Sequence, residues 1–180
     1  MNLIKTQIEG LFLIEPLVFK DERGYFFESF QKEKFHALGI DADFVQDNES
    51  MSGKGVLRGL HFQKPPFAQG KLVRVVRGSV LDVAVDLRKA SKTYGNWESS
   101  VLSAANMLMM WIPEGFAHGF LVLEENTIFQ YKCTNYYNKD SESSIIWNDP
   151  DLKIDWGTDN PLVSEKDLQE GLFRDLRSPF

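Results

Sequence analysis

Apolar and polar residues alternate with a period of two along much of this chain, the spacing at which successive side chains leave a β-strand on opposite faces. Val80–Leu87 shows it most plainly: Leu81, Val83, Val85 and Leu87 share one face, Asp82 and Asp86 the other. Val56–Phe62, Lys71–Arg77, Trp97–Leu102, Met107–Ile112, Phe116–Leu123, Thr127–Thr134 and Ser144–Trp147 read as further strands. A hairpin through Arg77-Gly78-Ser79 is expected to join Lys71–Arg77 to Val80–Leu87. Leu11–Phe19 carries Pro16, which cannot donate to a ladder, so an edge or bent strand is expected there. Asp21-Glu22-Arg23-Gly24 is a turn by composition, followed by a strand at Tyr25–Phe30. Ala42–Gln46 is expected as a short strand and Asp47–Ser50 as a polar loop.

Helical signals are few. Gln31–Leu38 is a helix candidate with Gly39 as its stop. Ser164-Glu-Lys-Asp167 resembles a capping box with Asp at its last position, opening a short helix that Gly171 ends. Turn signals recur roughly every 8–12 residues, as in a β-sandwich or barrel. The pattern predicts one all-β domain spanning residues 1–180, with short helical additions near 31–38 and 164–171.

Composition narrows the function classes. At 180 residues and 43% hydrophobic, with 14 Phe and 4 Trp, the chain can bury a core built largely on rings. A net charge of −6 argues against a general nucleic-acid binder, but not against an anionic small molecule held by a local cluster of Arg and Lys. The single Cys133 can form no intrachain disulfide, which fits a reducing compartment, and its apolar setting predicts a buried, inert thiol. The N-terminus lacks an apolar h-region, and no segment reaches the ~18 apolar residues that span a bilayer. A cytoplasmic protein with no membrane partner is expected.

Two stretches concentrate the chemistry. Gly55-Val-Leu-Arg-Gly-Leu-His61 fits the first half of the cupin pattern, G-x5-H-x-H, and Pro113-Glu-Gly115-Phe-Ala-His118 fits the second, P-x-G-x-x-H. Together they predict a cupin-like jelly-roll barrel, with the two stretches on opposite strands. A metal site is not expected. Gln63 stands where the second histidine would be, and Pro65–Gln69 offers no glutamate, leaving two candidate ligands where a catalytic ion usually takes about three. His61 is instead read as a base, against the alternative of a satisfied core histidine. Period two puts it on the face of Leu57 and Gly59, Gly59 leaves space beside it, and Lys71 sits on the next strand. The same alternation sends Arg58 to the opposite face, unless a bulge near Gly59 intervenes.

Several blocks in order resemble one family: Asp21-Glu-Arg-Gly-Tyr-Phe-Phe-Glu-Ser29, Phe44-Val-Gln-Asp-Asn48, Val56–Gln63, Gln69-Gly-Lys-Leu-Val-Arg74, Trp111–Phe120 and Tyr131-Lys-Cys-Thr-Asn-Tyr-Tyr137. They are similar to dTDP-4-dehydrorhamnose 3,5-epimerases from Leu3 to about residue 170. The resemblance implies a cupin-like homodimer that needs no metal or cofactor and exchanges its N-terminal strands. It implies epimerisation of dTDP-4-dehydro-6-deoxy-D-glucose at C3 and C5, in dTDP-L-rhamnose synthesis. By the same resemblance His61 is the base, Asp167 its partner, Tyr131 the acid on the far face and Lys71 the cation facing the enolate. Asp167 also has the local alternative of a cap.

Arg23, Glu28, Gln46, Asn48, Arg58, His118, Glu142 and Lys166 match the family's substrate-binding positions. Phe26 and Tyr136 are candidates for packing on the thymine or the sugar. Arg23 and Glu28 would complete the neighbouring subunit's site. Met107-Leu-Met-Met110 and Glu49 depart from the family pattern outside the catalytic set. The rival functions are a single-carbon epimerase, a non-catalytic sugar-binding cupin and a metal-dependent cupin enzyme.

Overall fold

The computed structural model describes residues 1–180. Four short strands open it: β1 (Asn2–Lys5), β2 (Phe12–Glu15), β3 (Phe19–Asp21) and β4 (Gly24–Phe26). Helix α1 (Lys32–Ala37) follows, then β5 (Gln46–Ser52), β6 (Val56–Gln63), β7 (Lys71–Arg77), β8 (Ser79–Asp86) and β9 (Trp97–Ser103). The chain continues through β10 (Met109–Ile112), β11 (Phe116–Val122), β12 (Thr127–Cys133), β13 (Glu142–Ser144) and β14 (Leu162–Val163).

Two six-stranded sheets face each other. One runs β1-β2-β10-β7-β12-β5; the other runs β13-β6-β11-β8-β9, with β14 added parallel to β6. Period two gives each sheet an inner and an outer face, and both are apolar. Between the sheets lies a core that includes Val73, Val75, Val80, Ala84, Met110, Phe120 and Phe129. Outside the second sheet, Leu57, Leu60, Val83, Val85 and Leu87 pack against Leu152, Trp156 and the C-terminal Leu176 and Phe180. Outside the first, Ile14, Leu72, Met109 and Trp111 pack against Phe35 of α1. Each fully buried Val, Leu, Ile, Met or Phe among them contributes roughly 1.5–3 kcal/mol, so both sheets are held on two faces. The expected jelly-roll barrel is therefore the architecture found.

The α1 helix lies within the expected span. The Gln31 side chain caps its start at the Lys34 N–H, and Gly39, at φ +86°, ends it. The other expected helix does not form. Residues 164–169 make a turn held by Leu168 N–H to Ser164 C=O and Gln169 N–H to Lys166 C=O, and Gly171 bridges to Ile145 instead of ending a helix.

Other strand expectations also change, beginning with Ser144–Trp147, where the strand found is Glu142–Ser144 and leaves Ile146 and Trp147 irregular. Pro16 falls just past β2, which is an interior strand between β1 and β10. β4 stops at Phe26, short of the expected Phe30. Ala42–Val45 is irregular, and the polar run expected as a loop is instead strand β5, whose Gln46 and Asn48 point inward where polar side chains are useful. Arg77-Gly78-Ser79 makes no hairpin. β7 and β8 lie in different sheets, and the chain crosses between them at Gly78, φ +78°, where an added Cβ would sit 2.3 Å from Thr127 Oγ1.

The two histidine stretches are not on opposite strands but on hydrogen-bonded neighbours, β6 and β11, with His61 directly across from His118. Between them the register shifts: Phe120 pairs with Arg58 and His118 with His61, so β6 spends one residue more than β11. This bulge carries Leu57 and Leu60 to the outer face and brings Arg58 and His61 together on the inner one. The predicted sharing of a face by His61 and Leu57 is thus reversed, and the conflict over Arg58 disappears. Gly59 makes the bulge possible. Its φ is +125°, and a Cβ there would lie 2.5 Å from Gly119 Cα.

At the end of β8 the buried Asp86 accepts from Arg88 Nε at 2.9 Å, Arg88 Nη2 at 2.8 Å, Ser91 Oγ at 2.6 Å and Thr93 Oγ1 at 2.7 Å. Burial alone would raise this carboxyl, but the donors, Arg88 first, hold it down to about 2. The Arg88 guanidinium also lies 4.6 Å over the Phe116 ring.

The folded Asp86 titrates below the ordinary 3.8, so its contribution is fully present above about pH 4 and is lost as pH falls through about 2. Asp86→Asn is expected to lower the unfolding free energy by about 2 kcal/mol at pH 7 and by little near pH 2, read from urea titrations. Gly59→Ala is expected to cost about 3 kcal/mol or more in the same assay. Gly171→Ala, whose Cβ meets nothing within 4 Å, should stay within about 0.5 kcal/mol of the parent.

Candidate active site

A cavity of about 330 Å³ opens at one end of the barrel, where β5, β7 and β13 begin and β6 and β12 end. Strand register builds its floor. Gln46, Cys133 and Lys71 are partners across β5, β12 and β7, and Asn48 and Tyr131 form the next row. Val73, one step along β7 on the same face, belongs to the core between the sheets, so the row projects into the barrel. His61 faces it from β6 in the other sheet, with Gln63 and Glu142 beside it.

His61 Nε2 lies 2.7 Å from Asp167 Oδ1, with the imidazole 31% exposed and the carboxylate 5%. The ring is open to the cavity while its partner is sealed. Burial would raise the Asp167 carboxyl, but His61, the Gly59 N–H and Ser164 together hold it below the ordinary range. A charged Asp167 takes its hydrogen bond from Nε2–H, which leaves the Nδ1 lone pair free. The local role of Asp167 is real as well, since its backbone N–H donates to Ser164 Oγ at 3.1 Å. The two readings of this residue are compatible: the cap shapes the turn that aims the carboxylate.

Burial dominates the opposite wall. It pushes the Lys71 ammonium down, while Cys133, Asp82 and Glu142 pull it back up. It pushes the Tyr131 phenol up, aided by Cys133 and opposed by Arg58, so Tyr131 keeps its proton and can donate it. It pushes the Cys133 thiol up too, against Lys71 and a contact from Asn48 Nδ2 at 3.6 Å. Cys133 is thus a buried neutral thiol in the cavity wall.

His118 is only 7% exposed and stands behind the cavity wall instead of lining it. Its Nε2 lies 3.0 and 2.9 Å from the two oxygens of Asp82, and its ring stacks on Phe129. Burial raises the Asp82 carboxyl; His118 and Lys71 oppose that. No cluster of three His, Cys, Asp or Glu side chains is assembled anywhere in the fold. Each barrel histidine gives one ring nitrogen to a carboxylate.

At the mouth, Glu142 receives Tyr137 Oη at 3.0 Å and pairs with Lys166 Nζ at 2.7 Å. Burial would raise Glu142, but Lys166 and Tyr137 hold it low. Gln46 Oε1 accepts the Tyr137 N–H at 2.9 Å, and Gln46 Nε2 donates to Asn48 at 3.0 Å. Arg58 Nη2 donates to Ser52 Oγ at 3.2 Å.

His118, Arg58, Asp167 and Lys166 stand just behind or beside the lining, and four further expected residues lie away from the cavity. Arg23 sits on the β3–β4 turn, 85% exposed and paired with Asp21. Phe26 is 66% exposed on the same hairpin, Glu28 pairs with Lys34, and Tyr136 is 63% exposed beyond the rim. Conversely, Asp82, Gln63 and Tyr137 belong to the site although the sequence assigns them no role in it. Asp82 carried a signal, a carboxylate alternating into an apolar strand. Gln63 gives its amide to Phe67 and Tyr136 carbonyls and accepts the Asn138 N–H, a role that only the folded loops reveal.

Residues 5–175 match the family described as dTDP-4-dehydrorhamnose 3,5-epimerase. The chain is 54% identical over 176 residues to the Shigella flexneri protein of that name, covering 97% of each. Among solved structures, the dTDP-4-dehydrorhamnose 3,5-epimerase of Elizabethkingia anophelis superposes with a TM-score of 0.94 at 52% identity, covering 97% of both chains. A dTDP-6-deoxy-D-glucose-3,5-epimerase of Legionella pneumophila, solved in complex with dTDP-4-keto-L-rhamnose, gives 0.93 at 51% identity, covering 97% of this chain and 94% of that one.

Proposed function

We propose a role for each of these side chains from one premise: the chain belongs to the dTDP-4-dehydrorhamnose 3,5-epimerase family. It is an enzyme that inverts C3 and C5 of dTDP-4-dehydro-6-deoxy-D-glucose, giving dTDP-4-dehydro-L-rhamnose. The chemistry requires a base beside a carbon α to the 4-keto group, a cation facing the enolate oxygen, and an acid on the opposite ring face.

The observation that carries the assignment is the His61–Asp167 pair set across the cavity from Tyr131. His61 Nδ1 takes the proton α to the ketone, and Asp167 stabilises the imidazolium that forms. The C–H electron pair moves into the enolate, whose oxygen faces Lys71. Tyr131, on the facing sheet, returns a proton to the other side of the carbon. Each inversion leaves His61 with one proton more and Tyr131 with one fewer, and exchange with water resets both. Gln46, Asn48, Arg58, Glu142 and Lys166 bind the substrate around the mouth. His118 acts from behind, holding Asp82 near Lys71.

Arg23, Phe26, Glu28 and Tyr136 act on the nucleotide from the rim and from the partner. The β3–β4 hairpin and its approach expose Leu17, Phe19, Tyr25 and Phe26, each at least 58% exposed. So much exposed apolar surface beside an arginine suits a hairpin that lies on a second copy. The working unit is a homodimer in which Arg23 and Glu28 complete the partner's cavity. In the structure no helix is long and apolar enough to cross a membrane.

Turnover in D₂O is expected to place solvent deuterium at both C3 and C5, seen by proton NMR with a reductase trapping the product. Exchange at one carbon alone would make this a single-site epimerase. His61→Asn should lower kcat by about 10²–10⁴-fold; unchanged exchange in that variant would remove His61 as the base. The exchanged hairpin makes a separate prediction. Mixing Arg23→Ala with His61→Asn, each weak alone, should restore about one quarter of the sites through statistical heterodimers. No recovery would place Arg23 at its own subunit's cavity.

A further inference from the structure

We infer that the Glu142–Lys166 ion pair is a positioning latch: it holds the turn that carries Asp167 and so aims the base, His61, beyond any contact either residue makes with substrate. The inference rests on reading His61 as the base. The two members of the His61–Asp167 pair are supported very unequally. His61 lies within β6, laddered to β11 on one side and to β13 on the other, where Ser144 is its partner. Asp167 lies on the 164–169 turn, which has no place in either sheet and two backbone hydrogen bonds of its own. The turn enters from β14, whose two residues pair with the far end of β6, at Val56 and Leu57.

One residue before Asp167, Lys166 crosses to Glu142 at 2.7 Å. Glu142 is fixed twice, as the register partner of Gln63 on β6 and as the acceptor of Tyr137 Oη at 3.0 Å. The latch therefore fastens the loose partner of the dyad to the strand beside the rigid one. A half-exposed ion pair of this kind adds little to global stability. Its effect here is geometric, because a misplacement of about 1 Å in a reacting group can cost ~10²-fold in rate. Tyr137 links the same carboxylate to the rim loop, so a ligand that displaces Tyr137 or Lys166 would also be felt at Asp167.

Lys166→Gln, Lys166→Arg and Glu142→Gln in the full chain test this. Loss of a nearby cation alone would make the base more basic and move the acidic limb of kcat/KM to higher pH. A slack Asp167 would make it less basic and move the limb to lower pH. The other titratable groups facing the pair are Lys71 from β7, Tyr131 and Cys133 from β12, Tyr137 from the rim loop and Glu142 from β13. In Lys166→Gln Glu142 loses its ion-pair partner and Glu170 a nearby cation, and these freed charges also push toward higher pH.

The latch predicts that in Lys166→Gln the limb moves to lower pH and kcat falls about 10-fold beyond any change in KM. It also predicts that the His61 Nε2–H resonance, recorded without substrate on ¹⁵N-histidine protein, broadens or exchanges faster. Glu142→Gln should do the same, and Lys166→Arg should restore all three readouts. An unmoved N–H resonance, or a limb moving to higher pH with the loss confined to KM, would overturn the latch. The resonance needs no turnover, so it reads the latch even if His61 proves not to be the base. The deuterium experiment reads that separately.

Discussion

Two backbones touch where no side chain intervenes, and the active end of this barrel depends on that contact. Gly59 of β6 meets Gly119 of β11 so closely that a Cβ on Gly59 would lie 2.5 Å from Gly119 Cα, and one on Gly119 2.8 Å from the Arg58 carbonyl oxygen. The close approach lets β6 hold one residue more than its partner without leaving the sheet. Without that residue, period two would leave Arg58 and His61 on different faces. With it, both point into the barrel, and the outer face keeps Leu57, Leu60 and Phe62 for the apolar layer beneath the C-terminal segments. A bulge therefore reconciles a polar interior with an apolar exterior on one strand.

The interior it serves is mixed in an ordered way. Three of the four buried aspartates are paired with a basic side chain, Asp82 with His118, Asp86 with Arg88 and Asp167 with His61, while Asp149 accepts the backbone N–H groups of Asp151, Leu152 and Phe173. An unpaired charge there would be costly, and the pairing permits three carboxylates in an aromatic barrel. Lys71, Tyr131 and Cys133 instead share one wall in which burial favours the neutral form of each. A neutral phenol can give a proton, and a partly desolvated cation interacts strongly with a nearby oxyanion. The division of labour follows from which groups have a partner and which have only the cavity.

The sequence already shows much of this. Alternation located β6 through β12 to within about two residues, and the inward pair Asp82 and Asp86 stood out on β8. His61, Lys71 and Tyr131 do line one cavity. The rest is hidden, each part for a physical reason. Strand pairing is non-local, so a tight Arg77-Gly78-Ser79 turn looked like a hairpin although it crosses between sheets. A bulge inverts faces without changing composition, so simple alternation misplaced Leu57. Polar strands lack the apolar signature, so β5, with its inward Gln46 and Asn48, looked like a loop. The capping pattern at Ser164 proves to be a cap without a helix, because a single turn satisfies the same donor.

Gln63 occupies the position at which metal-binding cupins carry their second histidine, and it is not idle there. Its amide donates to the carbonyls of Phe67 and Tyr136 and accepts the Asn138 N–H, joining the loop that precedes β7 to the rim loop that carries Tyr137. An imidazole has two ring nitrogens pointing in divergent directions and cannot make those three bonds at once. A histidine at this position would loosen the tie between the two loops, leaving it to Gln69 and Asn135. The position that would add a second imidazole to this barrel is thus already committed to joining two loops. An exchange that supplied a ligand here would also slacken one wall of the cavity, so the gain of an imidazole and the loss of a loop tie come as one event.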